Sequence, residues 1–191
     1  TFFNVVASLE NAGRTRGGRG WLAWIFALPW GNAAFTTQVF AMFLFAFGGA
    51  SGVINASYNL NLVVHNTAWI SGHFHLTVGS AVALTFMGIT YWLVPYITGR
   101  KLFSNGMALA QAWTWLIGMT LFSHFMHMLG LLGMPRRTMV GASPYLNPET
   151  AGIAAEWRVL LPMTLIGGLL MGLSALLYYL NMILTITRGK P

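Results

Sequence analysis

An all-α, polytopic transmembrane helix bundle is the fold class this sequence predicts, and three observations predict it. Of the 191 residues, 56% are hydrophobic and only 7% are charged, against roughly 25% charged in a soluble domain. The charges are also segregated: positions 20–99, 102–135 and 159–187 contain no Asp, Glu, Lys or Arg. Each stretch exceeds the ~20 apolar residues that a membrane-crossing helix needs. Finally, the basic residues fall between the apolar stretches, so the formal charge of +7 reports membrane topology, not a nucleic-acid surface.

The elements follow in chain order. TFFNVVASLE (1–10) reads as the tail of an earlier apolar helix, and ITRGKP (186–191) stops soon after another, so the chain is expected to be a piece of a longer or split protein. ENAGRTRGGRG (10–20) reads as a basic loop. GWLAWIFALPWGN (20–32), rich in Trp and broken by Pro29, suits the membrane interface, where Trp anchors. About four spans are then expected. Span one covers roughly 36–59, and span two roughly 66–95, ending at Pro95. Span three covers roughly 106–130 and span four roughly 155–186, with the polar loop PRRTMVGASPYLNPETAG between them. Residues 1–191 read as a single transmembrane region without repeats. Two small-residue pairs, Gly48/Gly52 and Gly168/Gly172, are expected to let helices approach closely.

Four spans put alternate loops on alternate sides. One side carries Arg14, Arg16, Arg19, Arg100, Lys101, Arg188 and Lys190; the other carries Arg136, Arg137 and Arg158. The richer side is predicted to be cytoplasmic. Arg136 and Arg137 are then adjacent charges on the outer side, against the trend.

The histidines carry the chemistry. His65, His73, His75, His124 and His127 all fall in or beside apolar spans, where ionisable residues mark function. A helix turns about 100° per residue, so His73 and His75 point roughly 200° apart. One metal gripped by one helix would call for an i, i+4 spacing. The two rings are instead placed to serve two centres, one on each side of the helix, separated by about a helix width of 10–12 Å. Neutral imidazole suits iron, copper and zinc, and haem iron accepts axial His. Gly79 lies on the His75 face and leaves room for such a disc, with Phe74, Phe86, Tyr91 and Trp92 nearby. Arg136 and Arg137, on the same predicted side as His65, can bind haem propionates in a bidentate way; lipid phosphate or a subunit contact is the competing use. The absence of cysteine excludes disulfides and thiolate metal sites.

These residues carry a family resemblance. HNTAWISGHFH (65–75) and GMPRR (133–137), with ASLE, GRTRGGRG, ALPW, VVHNTAW, YWLVP and TGR in order, resemble the C-terminal part of the catalytic subunit (subunit I) of haem-copper terminal oxidases, nearest the B family of cytochrome ba type. The resemblance implies that His73 is the proximal, catalytic ligand of a high-spin A-type haem and His75 an axial ligand of a low-spin B-type haem. It puts His65 near the high-spin propionates and pairs Arg136 and Arg137 with propionates. His127 matches a family histidine without a firm role. His124 matches no motif and is expected to pack. Where the family often has Asp, this chain has Asn61, which cannot load a proton as a carboxylate can. Asn66 replaces an Asp that helps hold magnesium in the A branch, so no magnesium is expected there. The copper ligands fall outside this chain.

By resemblance, the complete enzyme is a cytochrome c oxidase of a prokaryotic cell membrane. Its partners would be the remainder of subunit I, a subunit II carrying a copper centre, a cytochrome c-type electron donor and lipid. It would reduce oxygen to water and contribute to proton translocation; this piece alone would be inactive. Two other readings compete: a nitric oxide reductase relative, and a cofactor-free proton-relay segment of a transporter.

Overall fold

The chain's structure, a computed structural model, describes residues 2–137 and 155–191, with the backbone alone at positions 155 and 156. Among these residues the secondary structure is helical apart from one isolated bridge, Thr67 to Pro135. The helices are α1 (Phe2–Thr15), α2 (Ala23–Phe26), α3 (Ala33–Ala56), α4 (Tyr58–Val64), α5 (Ala68–Phe74), α6 (Ala83–Thr98), α7 (Asn105–Leu131) and α8 (Ala155–Arg188), with a π-helical segment, π1 (His75–Val82), joining α5 to α6.

Several expected boundaries shift. The basic loop begins later than read, because α1 runs on to Thr15, where an Arg14–Glu10 ion pair at 2.6 Å spans one turn. Pro95 does not end span two. The helix continues to Thr98 and stops where Gly99 turns left-handed at φ 64°, its amide bonded to the Pro95 carbonyl. Proline removes a donor but keeps its acceptor, and here that acceptor closes the helix. The start of span two is broken: α4 ends at His65, Asn66 turns at φ 59°, and α5 begins after Thr67. Asn is one of the few side chains that tolerates this backbone. Helix starts are capped as expected for short polar residues: Asn32 Oδ1 accepts the Phe35 amide at 3.0 Å and Ser104 Oγ the Met107 amide at 3.1 Å.

Among the described residues, three rods are long and apolar enough to cross a membrane: Ala33–Ala56, Ala68–Thr98 and Trp157–Arg188. Helix α7 is the fourth expected span. Its 27 residues reach ~40 Å at 1.5 Å per residue, more than the ~30 Å hydrocarbon core. Its apolar character is diluted by Gln111, Ser123 and His127, all buried between helices. The chain is an integral membrane protein.

Packing explains those polar residues. Tyr91 donates to Gln111 Oε1 at 2.9 Å, and Gln111 Nε2 donates to Ser174 Oγ at 2.9 Å, tying α6, α7 and α8 together. Helices α7 and α8 touch backbone to backbone: a Cβ on Gly118 would lie 2.9 Å from the Gly167 carbonyl oxygen. The expected Gly168/Gly172 pair is off by one register. Gly168 meets only the Phe122 ring edge at 3.6 Å and Gly172 meets nothing within 4 Å. The Gly48/Gly52 pair does mark a close approach, of α3 to α5 and π1. A Cβ at Gly48 would be 2.6 Å from a Thr77 methyl, and one at Gly52 3.1 Å from His73 Cε1.

The charge segregation has a geometric counterpart. The Lys101 amide donates to the Lys190 carbonyl at 2.7 Å, and Arg100 Nη1 to Gly189 O at 3.1 Å. Asn105 Nδ2 donates to Gly31 O at 2.7 Å. The α6–α7 loop, the end of α8 and the start of α3 therefore share one end of the bundle, and Arg136 lies at the other beside Asn66.

Candidate functional site: the histidine turn between α3 and α7

The turn Ser71–His75 sits where α5 becomes π1, between α3 and α7. Its two histidines face different neighbours. His73 Nδ1 lies 3.0 Å from the Gly48 carbonyl and 2.9 Å from Ser51 Oγ, both on α3. The His75 ring lies against Phe122 on α7, centroids 4.6 Å apart with the planes tilted by 52°. The two-residue spacing thus separates the rings onto opposite sides, as a helical turn requires.

Hydrogen bonding fixes the tautomers. A carbonyl only accepts, so His73 Nδ1 carries the proton facing Gly48 O. Ser51 Oγ gives its own proton to the same carbonyl at 2.8 Å, so it too accepts from Nδ1–H. His75 Nδ1 likewise donates to the Ser71 carbonyl at 2.7 Å. Each ring is left with a free lone pair on Nε2. An imidazole whose Nδ1–H is held by a carbonyl, freeing Nε2, is the usual arrangement of a metal-ligating histidine. Both rings are half-buried, so Nε2 can meet a group bound beside the helix. The residues present therefore fit two axially ligated irons, one on each side.

Other expected residues fall differently. Gly79 does not open a bare face, because the Met119 methyl lies over it, 3.0 Å from where a Cβ would be. Phe74, Phe86 and Trp92 are exposed on this chain, whereas Tyr91 is buried and turns inward to Gln111. His124, expected to pack, is exposed on the wall of a cavity of about 570 Å³ between α3, α5 and α7, which Ser51, Trp69 and His127 also line. His127 is the buried one. Its Nδ1 donates to Ser123 O at 2.7 Å, its Nε2 has no partner, and its ring meets Trp69 edge-on at 4.5 Å.

The segment bearing the arginines lies against the segment bearing His65. The Ala68 amide donates to Met134 O at 2.8 Å and the Arg136 amide to Asn66 O at 3.0 Å. Arg136 Nη2 also reaches Asn66 Oδ1 at 3.4 Å. Exposed His65 and Arg137 and half-buried Arg136 thus share one end of the bundle. Among the described residues no three His, Asp or Glu side chains converge as a metal site. Ser51, the Gly48 carbonyl, Phe122 and Ser123 were not singled out by the sequence. A serine one turn after a packing glycine was the only available hint, and a carbonyl leaves none.

Comparison with known proteins agrees with this geometry. Residues 2–170 match the family described as Cytochrome C and Quinol oxidase polypeptide I. A cytochrome c oxidase subunit 1 of Thermus thermophilus is 44% identical over 193 residues, covering 100% of this chain and 34% of the relative. The cytochrome c oxidase polypeptide 1 of Halobacterium salinarum is 30% identical over 138 residues, covering 72% of this chain and 21% of the relative. Among solved structures, a cryo-EM structure of a heme-copper terminal oxidase dimer superposes with a TM-score of 0.85 at 33% identity, covering 99% of this chain and 33% of that one. The chain therefore spans about a fifth to a third of the length of these relatives. With His65, His73, His75, Arg136 and Arg137 all inside the matched residues, the chain belongs to the cytochrome c and quinol oxidase polypeptide I family.

Proposed function

We propose that this chain is the haem-holding, single transmembrane region of a terminal oxidase subunit I. The complete enzyme takes electrons from a cytochrome c-type donor, reduces oxygen to water and contributes to proton translocation in a prokaryotic plasma membrane. The observation that carries this reading is the pair of divergent histidines, each with Nδ1–H held by a carbonyl and Nε2 free.

His73 Nε2 would hold the iron of the high-spin haem, and His75 Nε2 would hold that of the low-spin haem. When bound, the haems supply one-electron transfer at one centre and oxygen reduction at the other. The protein's part is orientation. Gly48 O and Ser51 Oγ together clamp the His73 ring, and the negative end of each carbonyl raises the basicity of Nε2. Placing both imidazoles within one turn presents them on different sides of a single helix. Arg136 and Arg137 neutralise propionates at the His65 end through charge-assisted bonds. Asn61 supplies an amide, which cannot take up a proton as a carboxylate can. The high-spin haem is of A type and the low-spin of B type. The copper ligands come from the remainder of subunit I, and a subunit II carries the entry copper centre.

The complete complex tests this. Its reduced-minus-oxidised visible spectrum is expected to show two haem signals. His75→Ala should remove the low-spin signal and His73→Ala the signal that responds to carbon monoxide. A complex without haem bands, or both substitutions damaging one common centre, would overturn the proposal.

A further inference from the structure

The two iron ligands are held by unequal means. His73 is clamped to a neighbouring helix, through Gly48 O and Ser51 Oγ of α3. The His75 ring packs against Phe122 of α7, but its hydrogen bond stays within its own helix, to Ser71 O at 2.7 Å. Yet its position is where the helix changes type. The His75 amide divides between the Gly72 and Ser71 carbonyls, and i, i+5 pairing begins there. A junction of this kind is free to slide along the helix unless something pins it, and sliding it by one residue would swing the His75 ring.

One hydrogen bond from outside the helix reaches that junction. Ser123 Oγ on α7, fully buried, donates to the Gly72 carbonyl at 2.7 Å. Its direction is unusual for its helix. Thr114 and Thr120 on α7 fold their hydroxyls back onto their own carbonyls, Ala110 O and Leu116 O, the common habit of helical Ser and Thr. Ser123 crosses instead. The crossing is built on both sides. Gly72 has no Cβ, and one placed there would lie 2.8 Å from His127 Nδ1 and 2.9 Å from Ser123 O. His127, for its part, donates from Nδ1 to Ser123 O at 2.7 Å, bracing the α7 turn that presents the hydroxyl.

We propose that Ser123, braced by His127, is a positioning residue for the low-spin centre: its hydroxyl pins the α-to-π junction at Gly72 and so sets the orientation of the His75 imidazole. The inference rests on the assignment of His75 as an iron ligand. It gives the buried His127 a part as well, in holding Ser123 rather than in binding metal.

The test uses the complete complex, with three variants. In Ser123→Ala the low-spin electron paramagnetic resonance g values, which depend on the orientation of the axial imidazole, are expected to shift, together with the low-spin visible band. The carbon monoxide difference spectrum of the His73 centre, anchored separately to α3, is expected to stay as in the parent. Thr120→Ala, which removes a hydroxyl bonded to its own helix, should leave both unchanged. If Ser123→Ala instead loses both haems, Ser123→Thr, which keeps the donor, is expected to restore them with parental g values. Unshifted low-spin signals in Ser123→Ala, equal shifts in both centres, or failure of Ser123→Thr to restore haem would each overturn the proposal. A parent complex without haem would instead remove the function on which it rests.

Discussion

At the scale of single residues, a backbone carbonyl decides what each histidine can do. Gly48 O and Ser71 O fix the protons of His73 and His75 on Nδ1, and that leaves Nε2 to bind. Ser51 adds a second acceptor to His73 alone. Ser51→Ala is therefore expected to loosen the high-spin haem and spare the low-spin one. Removing such an outer partner typically costs 10–100-fold in affinity; with Gly48 O still in place, the lower end, about tenfold faster haem release, is the expected result of a haem-transfer assay. The opposed faces of His73 and His75 were legible from their spacing, because two residues of helix give about 200°, just over half a turn, whatever the neighbours are. The clamp was not legible, since Gly48 contributes an oxygen common to every residue. His124 and His127 show the same limit. Both lie in an apolar run, and only the packing of α7 against α5 decides that one is buried and the other exposed.

At the scale of helices, the spans were legible within a few residues, because apolar runs are bounded by charges or by short polar residues such as Asn32 and Ser104. Their interiors were not. Nothing in HLTVGSAV separates a π-helix from an α-helix by composition, and the widened turn is stabilised by partners elsewhere. Two hydroxyls help from within: Thr77 Oγ1 donates to His73 O at 3.1 Å and Ser80 Oγ to His75 O at 3.4 Å. The α7–α8 seam was half legible. The sequence signals small residues near 167–172, but which one faces α7 depends on the rotation of α8. Gly167→Val is expected to force the two backbones apart, an overpacking cost of about 1–3 kcal/mol. It would be read as a lowered thermal midpoint of the solubilised complex, whereas Gly172→Val, with open space around it, should leave the midpoint unchanged.

At the scale of the whole molecule, the chain is a bundle with two chemically distinct ends. Basic residues crowd the end where Lys101 meets Lys190, and the Arg136 segment lies at the other, beside His65 and Asn66. This division was legible from the charges alone, because loops between spans must alternate sides. The chain has no cysteine of its own, which makes sidedness directly testable. Lys190→Cys and Leu132→Cys are expected to react with a membrane-impermeant maleimide from opposite faces of sealed vesicles, with Lys190→Cys labelled from the cytoplasmic face. Labelling of both from one face would refute the arrangement.

The π-helical segment also has a consequence for how this helix tolerates changes in length. Each i, i+5 turn takes up one residue more than an α turn, so π1 works as a store of surplus chain within a membrane rod. Deleting one residue between Thr77 and Val82 would let the rod revert to α-helix without rotating α6 against its neighbours. Gly88 would keep its seat on Thr37, and Tyr91 its bond to Gln111. The same deletion between Ala83 and Gly88 of α6 would turn every later side chain by about 100° and break both. Single-residue gaps between relatives, ordinarily incompatible with a packed membrane helix, can therefore be absorbed at this one place, directly beyond the two histidines.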